Sequence, residues 1–126
     1  MTIEKSTLND FTMIKNIVHT TINTVYSKYY PSGAVDFFLK HHSDENIKKS
    51  IEDDEVYLFS ENNTIIGTGT INGNEIDRLF ILPEFQGKGF GTKALDYFES
   101  EIFKKHGDVT LSASFPAFEM YQKRGY

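Results

Sequence analysis

Apolar residues in the first third of the chain recur at helical spacing. The longest stripe advances by three or four residues at each step and consists of Phe11, Ile14, Val18, Ile22, Val25 and Tyr29. It predicts one amphipathic helix of about five turns, capped by Asn9 or Asp10 and ended before Pro31. A second helix is predicted to start at Pro31, and a third, short helix is predicted after a Ser43 cap.

The middle of the chain has the pattern of strands. Residues 56–59, 65–71 and 75–81 are predicted as three strands, and residues 2–5 as a short first strand. Glu61-Asn62-Asn63-Thr64 reads as one turn, and Asn72-Gly73 as a second, because both of these last positions tolerate positive φ. We therefore expect an antiparallel meander behind a helical front.

The last third combines a helix with strands. A helix with Ala94, Leu95, Phe98 and Ile102 inward is predicted to end near His106, with Gly107 as a left-handed cap. A strand at 109–113 and a helix at 116–124 follow. Because a strand–helix–strand crossover makes a parallel pair, the fold class is α+β, of the three-layer α/β/α type with a mixed, mostly antiparallel sheet. We expect a single domain over residues 1–126.

Composition narrows the class of protein. The chain has 126 residues, of which 39% are hydrophobic and 25% charged, as in a globular protein. No apolar run approaches the length of a membrane helix and no secretory signal is visible. We therefore expect a cytoplasmic protein that does not bind a membrane. A net charge of −5 argues against nucleic acid as a partner. Cysteine is absent, which excludes disulfides and a cysteine nucleophile.

The glycine-rich segment at residues 86–92 indicates phosphate chemistry. Glycines let the backbone approach a ligand closely, and the following helix directs free N–H groups and its positive dipole end into the turn. Leu82 and Gly89 break the Walker A spacing, and Thr92 breaks the dinucleotide fingerprint. A pyrophosphate site is therefore predicted. The alternative is an ordinary strand-to-helix connection.

Two motifs carry a family resemblance. The segment Gln86-Gly87-Lys88-Gly89-Phe90-Gly91 fits the pattern Q/R-x-x-G-x-G/A. Near the end, Tyr121, Lys123, Gly125 and Tyr126 fit N-x-x-A-x-x-x-Y-x-K-x-G-F/Y, with Ser114 at the asparagine position and Ala117 at the alanine. In this order the motifs resemble the GCN5-related N-acetyltransferase (GNAT) family. The resemblance implies an acyl-CoA N-acyltransferase-like fold and acetyl-CoA as cosubstrate.

The resemblance also implies a cofactor site. The cofactor-binding residues would be Leu79, Phe80, Ile81, Gln86, Gly87, Lys88, Gly89, Phe90, Gly91, Thr92 and Ser114. In the family, the turn holds the CoA pyrophosphate and the preceding strand pairs with the pantetheine arm. That strand carries a bulge that splays it from its parallel neighbour, and a backbone N–H near the bulge polarises the thioester carbonyl.

Three residues are candidates for catalysis. Tyr121 aligns with the family tyrosine that protonates the departing CoA thiolate, although it could instead only pack against Phe118. Glu75 and Asp77 alternate onto one face of their strand and are candidate general bases. The alternative for this pair is a solvated strand end. Without cysteine, direct attack of the amine in a ternary complex fits best.

Aromatic residues of the first helices are candidates for the acceptor side. The predicted substrate-binding residues are Tyr29, Tyr30, Phe37 and Phe38, which cluster with Tyr26, His41 and His42. Such a lining could hold an alkylammonium by cation–π contact, whereas the alternative is core packing between helices. No metal site is expected, because adjacent histidines point apart on a helix.

The family usually continues with two more strands after the position of Tyr126, so the C-terminal strands are predicted to be missing here. A bare sheet edge favours pairing with a second copy, and we expect a homodimer, with a monomer as the alternative. The predicted function is transfer of acetyl from acetyl-CoA to a primary amine of a small molecule or peptide. The rival function is a non-catalytic acyl-CoA-binding module.

Overall fold

The structure is a computed structural model, and it describes residues 1–111. In this part of the chain a five-stranded sheet forms the middle layer. The strands, in their order across the sheet, are β1 (Thr2–Lys5), β2 (Val56–Glu61), β3 (Thr64–Asn72), β4 (Glu75–Ile81) and β5 (Thr110–Leu111). The strands β1 to β4 pair antiparallel with one another in sequence, and β5 runs parallel to β4. The predicted mixed, mostly antiparallel sheet is therefore confirmed.

Four α-helices flank the sheet within residues 1–111. They are α1 (Phe11–Thr24), α2 (Ser32–His41), α3 (Asp44–Glu52) and α4 (Phe90–Phe103). The start of α3 is as predicted, because the Ser43 hydroxyl accepts the Asn46 N–H at 3.3 Å. None of the helices in this described part is long and apolar enough to cross a membrane.

The first helix is shorter than its apolar stripe predicts. It ends at Thr24, and Tyr26–Lys28 form a 3₁₀ turn instead of a further helical turn. Residues 20–25 are rich in β-branched side chains, which lose rotamer freedom in a helix and so weaken its end. As a result Tyr29 leaves the stripe, and 54% of its surface is exposed.

Three details of capping and turns also differ from prediction. Asp10 precedes α1, but its carboxylate accepts the Thr7 N–H at 2.9 Å rather than capping α1. The helix α4 ends at Phe103, and Gly107 does not take the left-handed conformation predicted for it. In the β3–β4 hairpin the two turn residues follow Asn72, and only the first of them, Gly73, has positive φ, at 62°.

The hydrophobic core is divided by the sheet into two layers. One layer, called here the α1–α3 core, packs those helices on one sheet face and contains Ile14, Ile17, Val18, Ile22, Tyr26, Val35, Ile47, Ile51, Val56 and Phe80. The other, called here the α4 core, contains Phe59, Ile66, Ile76, Ile81, Ala94, Leu95, Phe98 and Ile102. Helices therefore cover both faces of the sheet, which confirms the three-layer α/β/α arrangement.

Alternation along the strands sends side chains to the two cores. On β2, Val56 belongs to the α1–α3 core and Phe59 to the α4 core. The strand β3 and the helix α4 are in close contact at Gly69, because a Cβ there would lie 2.4 Å from Phe98 Cε2. The predicted inward positions of α4 are confirmed by this packing.

Candidate active site

The loop between β4 and α4 has a left-handed backbone at two glycines. Gly87 has φ of 78° and Gly89 has φ of 86°, conformations that cost other residues free energy. The side-chain amide of Gln86 donates to the Ile81 carbonyl at 2.8 Å, which ties the loop to the end of β4. Gln86, Gly87 and Gly89 of the sequence pattern therefore each have a structural reason in this loop.

The start of α4 faces this loop with free donors. The first helical bond is donated by Lys93 to the Gly89 carbonyl at 3.1 Å, so the N–H groups of residues 90–92 have no helical acceptor. A Cβ at Gly87 or Gly89 would meet no atom within 4 Å, so the loop surface is open. Free N–H groups, the helix dipole and the nearby Lys88 make this loop suited to an anion.

After Ile76, the backbone of β4 pairs with β3 on one side, and no described residue pairs with its other side. The β4–β5 register there covers only Glu75 with Thr110 and Ile76 with Leu111. The Leu82 N–H donates to the Ile66 carbonyl at 2.8 Å, so alternation turns the N–H of Ile81 away from β3. This is the orientation that pairing with a pantetheine arm requires.

A β-bulge interrupts β4 in its middle. Thr70 pairs with Asp77 and Thr68 with Phe80, so two residues of β4, Arg78 and Leu79, lie opposite one residue of β3. The bulge changes the alternation of side chains. Asp77 and Arg78 both face the helices α2 and α3, and Leu79 packs against the α4 core. The bulge that the family resemblance implied is therefore present.

Arg78 is held in an unusual conformation. Its φ is 49°, in the left-handed region that costs a residue with a Cβ about 1–2 kcal/mol. The Asp77 carboxylate accepts the Arg78 backbone N–H at 2.8 Å, and the guanidinium donates through Nε to His42 Nδ1 at 2.8 Å and through Nη1 to the Ser50 hydroxyl at 2.9 Å. These three bonds fix both the backbone and the side chain of Arg78.

His42 is a neutral partner for this arginine. Only 5% of its surface is exposed, and its carbonyl accepts His19 Nε2 at 2.8 Å. Burial, and next the charge of Arg78, lower the pKa of His42 from 6.5 to about 3. Because Nδ1 accepts from Arg78, the proton of the neutral ring is on Nε2. A histidine with so low a pKa is a poor general base, and its Nδ1 instead holds the Arg78 guanidinium through a hydrogen bond.

A polar cavity of about 450 Å³ opens beside the bulge. It lies between the α2–α3 junction and the edge of the β3–β4 hairpin, and its lining residues are His41, Asn46, Lys49, Ser50, Asp53, Glu55, Asn72, Asp77 and Arg78. Of the two candidate bases, Asp77 lines this cavity and Glu75 does not. Burial, and next the charge of Asp53, raise the pKa of the Glu55 carboxyl.

The aromatic residues predicted for the acceptor side divide into two groups. Tyr30 and Phe38 pack together, with ring centroids 4.9 Å apart, and both contact Tyr26 in the α1–α3 core. Tyr29 and Phe37 are instead exposed, by 54% and 64%. Core packing, the alternative raised from the sequence, thus describes the first pair and not the second.

Several site residues were not identified from the sequence. Glu55, Ser50 and Arg78 are among them, whereas His42 was named only as a member of the aromatic cluster. The meeting of these residues depends on the bulge. The acidic run that follows α3 was the one available signal. Ser114 and Tyr121 lie outside the described residues. Among residues 1–111, no group of three histidine, aspartate or glutamate side chains could hold a metal ion.

Comparison with known proteins identifies the family. A family model described as an acetyltransferase (GNAT) domain matches residues 25–126, which is most of the chain. The chain belongs to the GNAT acetyltransferase family. The family resemblance drawn from the two motifs is therefore confirmed. No curated protein sequence matches the chain.

Solved GNAT structures share this fold at low sequence identity. A GCN5-related N-acetyltransferase from Rhodopseudomonas palustris aligns with a TM-score of 0.88 and 19% identity, over 99% of this chain and 80% of its own. PaiA N-acetyltransferase from Thermoplasma acidophilum, solved with coenzyme A, aligns with a TM-score of 0.77 and 22% identity, over 99% and 89%.

A third structure was solved with the acylated cofactor. It is a predicted acetyltransferase from Clostridium acetobutylicum with acetyl-CoA, which aligns with a TM-score of 0.68 and 17% identity, over 99% of this chain and 88% of its own. Together with family membership, these structures confirm the predicted acyl-CoA N-acyltransferase-like fold and support acetyl-CoA as the cosubstrate.

Proposed function

We propose that this GNAT protein transfers an acetyl group from acetyl-CoA to a primary amine of a small molecule or peptide, by direct attack in a ternary complex. The observation that carries the proposal is the loop from β4 to α4. Its left-handed Gly87 and Gly89 and the free N–H groups at the start of α4 form an anion site next to a bulged strand. Family membership supports acyl transfer in general.

The cofactor residues are assigned along the length of a CoA molecule. The pyrophosphate is held by Gln86, Gly87, Lys88, Gly89, Phe90, Gly91 and Thr92, and the pantetheine arm by Leu79, Phe80 and Ile81. Ser114, at the asparagine position of the second motif, donates a further hydrogen bond to the pantetheine. A backbone N–H at the bulge polarises the thioester carbonyl, because a preorganised donor stabilises the developing oxyanion.

The chemistry needs a proton acceptor and a proton donor. The amine nitrogen forms a bond to the acetyl carbon, the carbon–sulfur bond breaks, and the CoA sulfur leaves as a thiolate. Asp77, which lines the cavity, takes the proton of the amine, with Glu75 as the alternative base. Tyr121 protonates the thiolate, as its register in the family motif suggests, and a phenol has a suitable pKa for this.

The aromatic residues have two proposed parts on the acceptor side. Tyr30 and Phe38 support the strand β4 through Tyr26, whose ring centroid is 5.9 Å from that of Phe80. Tyr29 and Phe37 offer exposed ring faces to the organic part of an acceptor. A cytoplasmic location and a homodimer stay predictions.

A thiol-release assay tests the proposal. The protein is incubated with acetyl-CoA and a panel of amino acids, polyamines, aminoglycosides and peptides, and free CoA thiol is measured. Release that depends on an amine supports the proposal. CoA binding without release for any amine would favour the non-catalytic binding module, and absence of CoA binding would contradict both functions.

The anion site has its own test. Gly89→Glu places bulk and negative charge where the pyrophosphate is expected, so CoA binding in calorimetry should be abolished. Gly89→Asn is the matched control, because asparagine tolerates the left-handed conformation without adding charge. Equal CoA affinity of the Glu variant and the wild-type protein would refute the assigned site.

A further inference from the structure

The charges of the polar cavity are unevenly satisfied. Lys49 and Asp53 form an ion pair of 3.3 Å at the exposed rim and neutralise each other. Three charged groups of the lining remain, namely the carboxylates of Glu55 and Asp77 and the guanidinium of Arg78. The cavity therefore offers both a negative and a positive group to a ligand. Its volume of about 450 Å³ is within the usual range for small-molecule sites.

Arg78 is the remaining cation of the lining, and the carboxylates of Asp77 and Glu55 act on its charge without forming a close ion pair. Within residues 1–111, no carboxylate oxygen lies within 4.0 Å of its guanidinium nitrogens. The two hydrogen bonds of the guanidinium go to neutral acceptors, a histidine ring and a hydroxyl. A half-buried cation is stabilised by a counter-ion, and a planar guanidinium suits a carboxylate best. The Nη2 group, which these bonds leave unused, is the available donor.

The backbone at Arg78 has a conformation that is costly for a residue with a Cβ. Glycine or asparagine would take the left-handed conformation of Arg78 at lower cost. The bulge that requires this conformation also turns Asp77 and Arg78 to the same face of the sheet. Strain that is maintained at a cavity is typical of functional positions. A negative and a positive side chain are thereby presented next to each other.

The carboxylates supply the second half of a recognition site. The Asp77 Oδ1 atom accepts the Arg78 backbone N–H, which leaves its second oxygen for a ligand. Glu55, the residue before β2, also lines the cavity. Two carboxylates can hold an ammonium group, and one of them is the proposed base for that same group. A ligand with only positive charges would satisfy the carboxylates but be repelled by Arg78.

We propose that the acceptor is a small amine that also carries a carboxylate, as amino acids do, with its carboxylate on Arg78 and its ammonium between Glu55 and Asp77. This inference rests on the proposed acetyltransferase function. It assigns the substrate class to the cavity beside the β4 bulge. Polyamines and uncharged monoamines are the rival acceptors.

Matched pairs of amines test the substrate class. Amino acids are compared with their decarboxylated amines and with their amides, for example ornithine with putrescine and with ornithine amide, in the thiol-release assay. We expect kcat/KM to be at least ten-fold higher for the best amino acid than for its two counterparts. Equal or better rates with the decarboxylated amines would overturn the inference while leaving the acetyltransferase function in place.

Variants of the arginine connect the preference to the cavity. Arg78→Gln should raise KM for the amino acid at least ten-fold more than it raises KM for the amide, because only the amino acid loses a carboxylate contact. Lys48→Gln is the control, because it removes a cation of α3, the helix that supplies Ser50, without changing a residue that lines the cavity. Arg78→Asn, which suits the left-handed backbone, repeats the test if the Gln variant folds poorly. An unchanged KM in a folded variant would overturn the assignment.

Direct binding separates this inference from the proposed function. The CoA-loaded protein is titrated with the same amino acids and their amides in a calorimeter. Binding of amino acids without thiol release would support the cavity assignment and contradict catalysis. Release with other amines, together with no binding of any carboxylate-bearing amine, would contradict the cavity assignment alone.

Discussion

Lowering the pH from 7 to 5 is expected to destabilise the folded protein through His42. The buried ring has a pKa of about 3, whereas an exposed histidine has a pKa of 6.5. In the unfolded chain the ring therefore takes up a proton near pH 6.5, while the folded protein resists this proton down to about pH 3. Stability from this group is complete above pH 6.5 and is lost as the pH falls.

The size of the effect follows from these two pKa values. At pH 5 the unfolded state gains RT ln(1 + 10^1.5) from protonation and the folded state gains almost nothing, which is a loss of stability of about 2 kcal/mol. Protonation in the folded protein would place a second positive charge 2.8 Å from Arg78 Nε and break that hydrogen bond. Burial makes this cost large, since only 5% of the His42 surface is exposed.

Urea unfolding at pH 7.5, 6 and 5 measures this loss. His42→Gln keeps an oxygen that can accept from Arg78 but does not titrate, so its stability should fall by about 2 kcal/mol less than that of the wild-type protein between pH 7.5 and 5. The adjacent His41 is exposed, and His41→Gln should behave like the wild type. Identical pH dependence of the His42 variant and the wild type would refute the reasoning.

Three further predictions concern packing and catalysis. Gly67→Ala should lower the free energy of unfolding in urea by about 1–3 kcal/mol, because its Cβ would lie 2.4 Å from a backbone oxygen of β4. Gly33→Ala is the control and should not destabilise the protein, because its Cβ would meet nothing within 4 Å. Equal effects of the two substitutions would contradict the contact. Phe98→Ala should lower the free energy of unfolding by about 3–5 kcal/mol, since the ring is fully buried in the α4 core. Phe103→Ala, at an exposed position of the same helix, should lower it by less than half as much. Similar losses for the two variants would contradict the packing. Tyr121→Phe should lower turnover more than CoA affinity in the thiol-release assay and calorimetry, and unchanged turnover would remove it from the mechanism.

Most of the architecture could be predicted from the chain because it rests on local periodicity. The bounds of β4 were predicted as they are observed, since the strand lies between the Asn72-Gly73 turn signal and the Leu82-Pro83 step. The cap at Ser43 and the inward face of α4 also depend on residues close together in the sequence. Errors occur at helix ends, where one residue's conformation decides between competing hydrogen bonds.

The glycine-rich loop was also recognisable in the sequence, because left-handed backbone is cheap only for glycine. Gly87 and Gly89 have the positive φ that this argument requires. The same argument could not find the bulge, since its left-handed residue is Arg78. Nothing in the spacing of Asp77 and Arg78 indicates that two consecutive strand residues share a face.

The polar cavity was decided by tertiary structure alone. Its charges come from the start of β2, the end of α3 and the middle of β4, which are brought together by the sheet register and by packing of α3 on the sheet. The low pKa of His42 depends likewise on its burial against a distant arginine. Periodicity shows which face of an element is buried. Which polar groups meet depends on the exact docking of those elements, because contact and burial act over a few ångströms.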